Sequence, residues 1–320
     1  MNHGWPDEYT LRAALTLAVR APSVHNTQPW RFRISDHDIH LYLDSTRAHQ
    51  SSGIDQRDAV LSCGAALHHL RIALAAAGWS AVVHRLPHPA DPNHLASIEL
   101  VPHRPTMLEH ALNSMILRRQ TDRRPFSSAP IPPGYLGLVS ERAATLGASI
   151  RQAVDTTRER LVEVLRAAPD PGAGYRLDLA EWSGRPVTRD GAPARSVPLY
   201  SHPGGVPGMV GAPRQAGPDF AELLVLGTTT DDRLAQLCAG EALSAVLLTA
   251  TNVGLATCVL TEPLEIPELR QRIRVGVLDE RAYPQAVIRI GWASADVAAL
   301  PVASRRPLAD VLDPFEAAAC

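Results

Sequence analysis

Residues 63–78 read CGAALHHLRIALAAAG, residues 239–254 read AGEALSAVLLTATNVG, and the two align without a gap. Each has a small-residue start at Gly64 or Gly240 and an Ala-Leu pair at Ala66-Leu67 or Ala242-Leu243. Each ends on a glycine, Gly78 or Gly254, suited to the left-handed position that terminates a helix. Self-similarity on this scale marks a repeated unit and takes precedence over the reading of single elements. Both segments are predicted helices, and because they are apolar nearly all round they belong between other layers rather than on a surface.

The flanks repeat as well. Strand-like IHLYL (39–43) precedes the first helix and ASIELV (96–101) follows it; ELLVL (222–226) and AVIRIGW (286–292) flank the second. The reading is an α+β chain of two related halves, 1–104 and 105–320, packed against each other as the subunits of a homodimer would be, with an extended C-terminal tail. Within the second half, residues 169–218 are dense in Pro and Gly and poor in apolar runs. A connection that long is either a functional lid or disordered.

At 320 residues and 45% hydrophobic content the chain has material for one large core or two smaller ones. A formal charge of −2 gives no overall basic bias toward nucleic acid or an anionic membrane. No uninterrupted apolar run reaches bilayer length and MNHGWPDEYT lacks the layout of a signal peptide, so the expected compartment is the cytoplasm. Cys63, Cys238, Cys258 and Cys320 form neither a CxxC nor a Cys/His spacing, so neither a disulfide framework nor a metal site is expected. All 31 basic residues are arginine. The absence of lysine excludes a Walker-type phosphate loop, a pyridoxal Schiff base and a lysine nucleophile, and leaves phosphate to arginine forks, backbone amides and hydroxyls.

Two stretches carry candidate chemistry. In RAPSVHNTQPWRF (20–32) the helical rhythm of Leu11, Ala14, Leu15, Ala18 and Val19 stops, and Pro22 and Pro29 turn the residues before them away from α geometry. Residues 21–28 then form a fixed turn: a plain helix-to-strand connection, or a place where backbone donors and short polar side chains meet a ligand. In ILRRQTDRRPFSSAPIP (116–132), Arg118, Arg119, Arg123 and Arg124 form either a solvated charged face or an anion grip. For the grip, Arg119 and Arg123 share a face if helical, with the Thr121 hydroxyl between them.

Both stretches resemble the FMN-dependent nitroreductases. Residues 21–32, APSVHNTQPWRF, are similar to that family's Ala-Pro-Ser-x-x-Asn-x-Gln-Pro-Trp-x-Phe, and Arg119-Gln120-Thr121-Asp122-Arg123 resembles its Arg-x-Ser-x-Arg with Thr for Ser. Arg305-Arg306-Pro307-Leu308 resembles the basic segment that closes the family's phosphate site. The resemblance implies a nitroreductase-like fold and a bound FMN. It implies that Pro22, Ser23, Val24, His25, Asn26 and Gln28 lie along the flavin, with Gln28 and Trp30 open to a purely structural role. It places Arg118, Arg119, Gln120, Thr121, Arg123, Arg305 and Arg306 around the phosphate and ribityl chain, and Thr261 and Glu262 near the reactive edge of the ring. In the family the turn comes from the opposite subunit.

Here the first half lacks the arginine element and the second lacks the Pro-Ser-x-x-Asn turn, so together they complete one FMN site. This fused, single-site arrangement with a long lid is similar to the actinobacterial Acg subgroup. The implied activity is NAD(P)H-dependent reduction of a nitro- or quinone-type acceptor; the alternative is an FMN-sequestering protein with little turnover. No side chain is assigned as a general base. The chain would work as a monomeric pseudo-dimer or pair further as a homodimer.

Overall fold

The computed structural model describes residues 4–35, 37–49, 56–168, 219–293, 300 and 302–313. The whole stretch read as a lid, 169–218, lies outside them. The first half begins with helix α1 (Glu8–Ala18), opened by Asp7 accepting from the Thr10 amide at 2.7 Å. Strands β1 (Trp30–Ile34) and β2 (Asp38–Leu43), helices α2 (Ser45–His49) and α3 (Gln56–Ala76), and strands β3 (Trp79–Arg85) and β4 (His94–Pro102) follow. Helix α4 (Met107–Arg118) links the halves and starts in a reciprocal Thr106/Glu109 capping box. The second half runs through α5 (Pro133–Ala144), β5 (Ser149–Ala153), α6 (Asp155–Ala167), β6 (Glu222–Thr228), α7 (Arg233–Asn252), β7 (Ala256–Leu260), α8 (Pro267–Gly276) and β8 (Tyr283–Gly291).

Each half holds one four-stranded antiparallel sheet, ordered β1-β2-β4-β3 and β5-β6-β8-β7. The duplication reaches down to register. In the first sheet Leu41 faces Ala96 and Tyr42 then skips to His94; in the second Leu226 faces Ala286 and Gly227 skips to Pro284. The same irregularity thus interrupts the same strand pair at the same place. The chain is an α+β fold of two related halves, as the repeated helices indicated.

Those helices are longer than the aligned segments, beginning at Gln56 and Arg233. Gly78 (φ 90°) and Gly254 (φ 83°) end them in the left-handed region, where a Cβ would be strained. Both helices are long and apolar enough to span a bilayer by composition, contrary to the sequence expectation. Their apolar surface is explained by burial, because most of each is covered by the rest of the protein.

They are buried against each other. A Cβ on Gly64 would overlap the Leu237 carbonyl oxygen and sit 2.9 Å from Gly240 Cα; one on Gly240 would overlap the Leu61 carbonyl oxygen and sit 2.9 Å from Gly64 Cα. Four residues further, His68 Nδ1 meets Ser244 Oγ at 2.8 Å. Gly64 with Gly240 and His68 with Ser244 are equivalent positions of the repeat, so the helices run in the same direction along a pseudo-twofold axis between them.

The last described segment, 302–313, crosses back to the first half. Phe32 donates its amide to the Val311 carbonyl at 2.7 Å and accepts from the Asp313 amide at 2.8 Å, Arg31 pairs with Asp313, and Val311 is fully buried in the first core.

Two outcomes follow from the axis. Gly64→Ala or Gly240→Ala forces backbone apart from backbone and is expected to destabilise by about 3 kcal/mol, the upper range for overpacking. Because either one opens the same contact, the double variant should cost less than the sum in urea unfolding. Burial, with Arg71 adding to it, holds the His68 imidazole down to about 3. The unfolded chain therefore binds this proton first, and stability present above pH 6.5 is lost as pH falls toward 3. The urea midpoint at pH 5 should drop by the equivalent of about 2 kcal/mol relative to pH 7.5, and His68→Asn should flatten that slope.

Candidate functional site

The turn after α1 is held in a conformation that its residues would not adopt alone. His25 (φ 48°), Asn26 (φ 60°) and Gln28 (φ 51°) are all left-handed, at a cost of about 1–3 kcal/mol each for side chains that carry a Cβ. Neighbours enforce it. Ser23 Oγ accepts from the Gln28 amide at 3.0 Å and Ser62 Oγ of α3 accepts from the Val24 amide at 3.0 Å. Buried Gln28 donates through Nε2 to the Asn26 carbonyl at 3.1 Å and accepts through Oε1 from the Arg306 amide at 2.8 Å. The Gln28 amide group thus ties turn to tail, which is the structural role. Asn26 Nδ2 donates to the Ser304 carbonyl at 3.2 Å.

The second half meets this turn at its tip. His25 Nε2 lies 4.0 Å from Glu265 Oε1, just past the short turn Glu262–Leu264 that follows β7. Burial pushes the His25 imidazole below its ordinary value, Glu262 opposes that shift and Arg123 adds to it, so these charges share one place. Thr261 is nearly buried, and its amide donates to Glu262 Oε2 at 3.2 Å.

A second group of cations lies deeper. Arg119 is 7% exposed and makes no side-chain hydrogen bond or ion pair among the described residues, its Nε being buried without a partner. Arg305 donates to the carbonyls of Ser304 at 2.9 Å, Arg20 at 3.1 Å and Ala21 at 3.2 Å, while its Nε is also orphaned. Arg20, at the end of α1, has a third orphaned Nε. Burial, then mutual repulsion among these three, brings Arg119 down to about 10 and Arg305 to about 9. No carboxylate among the described residues pairs with any of them. Guanidiniums whose buried Nε donors are unsatisfied, with no counter-charge among the described residues, make a cluster able to act as a seat for an anion supplied from outside the chain.

This geometry corrects the reading of the arginine run. Helix α4 ends at Arg118, and Arg119 turns out of it with ψ 125°. The chain then bridges β7 through Thr121 and Thr257, with the Asp122 amide donating to the Thr257 carbonyl at 2.8 Å. Arg119 and Arg123 therefore do not share a helix face. Arg119 joins the buried seat and Arg123 joins His25 and Glu262. Arg118 is exposed, Arg124 pairs with Asp122 at 2.6 Å, and Gln120 Nε2 reaches the Leu300 carbonyl at 3.4 Å. Thr121 is half-buried and bridges Thr257 of β7.

Of the tail arginines, Arg306 is 3.7 Å from Asp44 and donates to the Asp310 carbonyl at 2.7 Å, whereas Arg305 has no carboxylate beside it among the described residues and keeps an unpartnered Nε. Sequence reading missed Arg20 although it opens the quoted turn, because a residue ending an amphipathic helix carries no signal of where its side chain goes. It also missed His69, fully buried beside the seat, because a histidine inside a repeated helix reads as core.

The pseudo-twofold relation sets different residues at the equivalent place in the other half. Carrying the register of the aligned helices onward, Thr261 corresponds to Arg85 and Ala65 to Glu241. At that second place Arg85 and Arg71 grip fully buried Glu241, at 2.6 and 2.5 Å, where the first has only a hydroxyl and a methyl.

No family model matches the chain. Among curated proteins, "Putative NAD(P)H nitroreductase Rv3131" of Mycobacterium tuberculosis H37Rv is 44% identical over 323 residues, covering 98% of this chain and 94% of the relative. "Putative NAD(P)H nitroreductase acg" of the same organism is 37% identical over 319 residues, covering 94% of each. Among solved structures, the FMN-dependent nitroreductase NfnB from Mycobacterium smegmatis in complex with NADPH overlays at 17% identity and TM-score 0.41, over 66% of this chain and 100% of that one. With near full-length identity of this order to Rv3131 and acg, the chain belongs to the NAD(P)H nitroreductase family, in the subgroup that contains acg.

Proposed function

We propose that the chain binds one FMN between its halves and uses it to carry electrons from NAD(P)H to a nitro- or quinone-type acceptor. The observation that carries this reading is the convergence of four distant segments along the end of α1 and the turn that follows it, residues 20–28. The turn 22–28 and α1 end come from the first half, Arg119 and Arg123 from the linker, Glu262 from the loop after β7, and Arg305 from the tail. The orphaned guanidinium donors of Arg20, Arg119 and Arg305 fit a terminal phosphate, and no lysine competes for that role. The strained turn fits the flat ring, because rigid donors lose little freedom on binding.

FMN, when bound, supplies the two-electron chemistry itself, accepting hydride from a nicotinamide and giving it up to the acceptor. The chain's part is to hold, orient and polarise. Arg119, Arg305 and Arg20 fix the phosphate. Pro22, Ser23, Val24 and Asn26 present a rigid surface to the ring, and Thr121 lies along the path between. Arg123, His25, Glu262 and Thr261 set the charge at the far end, where a cation beside the ring favours its electron-rich state. Homologues named for NAD(P)H supply the donor class.

Arg119→Ala and Arg305→Ala should each weaken FMN binding about tenfold or more, the loss of a charge-assisted phosphate bond. Quenching of flavin fluorescence by apoprotein measures it, and affinity unchanged in both variants returns the cluster to a structural role. FMN released on denaturation should approach one per chain, because the second place is filled by Glu241 and its arginines; a ratio near two overturns the single site. Multiple turnovers of NADPH with a quinone identify the reductase, whereas stoichiometric bleaching without turnover identifies the FMN-holding alternative.

A further inference from the structure

His69 stands in the middle of α3 with no exposed surface and, among the described residues, with no hydrogen-bond partner for either ring nitrogen. Its helical neighbour His68 already takes Ser244 from α7. The charged and titratable groups acting on His69 are Arg119 from the segment after α4, His68 on its own helix, Arg305 from the tail and Arg20 from the end of α1, with no acid among them. Burial first, and then these cations, hold the imidazole neutral. One nitrogen of a neutral imidazole is a donor and the other an acceptor, so both capacities are unused in a place where buried polar groups are ordinarily paired. A packing role leaves this unexplained, since an apolar side chain fills core at less cost.

We propose that His69 is the proton-accepting member of the anion seat: when the phosphate monoester of FMN enters between Arg20, Arg119 and Arg305, the imidazole takes up one proton from solvent. The inference rests on the FMN reading and adds to it a residue and a proton that the arginine motif does not contain. A phosphate near neutral pH carries close to two negative charges and three strong acceptor oxygens. Set beside His69, it supplies the opposite charge that favours the protonated ring and an acceptor for its new N–H. The arginines, repelling a proton while the seat lacks an anion, have their charge countered by the same phosphate. Binding and protonation are then linked, so FMN affinity rises as pH falls through the range where His69 titrates in the complex.

The test is calorimetric titration of FMN into apoprotein at pH 7.5 in two non-phosphate buffers, Tris and Hepes, whose heats of ionisation differ. The expected difference corresponds to uptake of about half a proton or more per FMN bound. His69→Gln should bind with about tenfold lower affinity at pH 6.5 and abolish the buffer dependence that exceeds the phosphate's own titration. Nitrogen NMR of the unaltered chain, labelled in histidine, keeps the result independent of how the variant folds: one buried imidazole should change from neutral to imidazolium on adding FMN. FMN that binds with equal heats in both buffers and leaves every buried imidazole neutral overturns the role of His69 while the flavin reading stands. Absence of FMN binding overturns both.

Discussion

The contact on which everything else depends is backbone against backbone, where Gly64 of α3 meets Gly240 of α7. With no Cβ on either side, two long helices come closer than side chains permit, and each lays its small residues over the other. This explains why both are apolar on nearly every face: one side covers a sheet of its own half and the other covers the partner helix. It also makes the axis between them the reference for the fold. Strands β3 and β7 leave the ends of these helices, so the loops that follow them, and the turns that enter β1 and β5, are positioned by the same crossing.

Symmetry of scaffold does not carry over to symmetry of site. The sheets agree in order and in the position of their irregularity, yet the residues at equivalent loop positions have diverged in charge and size. Where the site has Thr261 and Ala65, its counterpart has Arg85 and Glu241, locked into a buried ion pair with Arg71. Removing one partner of such a pair would leave a stranded buried charge, which ties that region to structure. The tail adds a second asymmetry. By adding a short parallel bridge to β1 at Phe32 and Leu312, it brings Arg305 from the end of the chain to the end of α1, a path that has no equivalent in the first half.

What was legible in the sequence follows from what each signal measures. The repeat, the closing glycines and the central strands were visible because they depend on local periodicity and on backbone conformations that few residues tolerate. The turn at 21–28 was visible because two prolines restrict it. The arginine run was misread as one helical face because the end of α4 is set by tertiary pairing of residues 121–122 with β7, for which the local sequence carries no stop signal. Strands β1, β3, β5 and β7 lie on sheet edges and were passed over. In β3 the half-covered faces give weak alternation, with Val82 and His84 exposed, whereas β1 alternates cleanly, with Trp30, Phe32 and Ile34 buried. Arg20, Arg305 and His69 meet only after both halves and the tail have folded, so no spacing along the chain could place them together.

The same meeting place concentrates the unfavourable terms of the fold. Three left-handed residues, three guanidiniums with a buried Nε and no counter-charge among the described residues, and a buried imidazole with no partner among them all raise the free energy of the chain alone. None is needed to hold the halves together, since the glycine crossing and the apolar cores do that. Strain and like charge gathered where several segments converge have a physical rationale only if a ligand relieves them, and one of opposite charge relieves most of them at once. Such a ligand stabilises the folded state through its preference for it, by an amount that grows with its concentration over its dissociation constant. With FMN in the proposed site the chain would gain stability and cofactor through the same contacts, and because the arginines proposed to receive the anion come from the end of α1, the linker and the tail, binding would also fasten the two halves and the C-terminal crossing to one another.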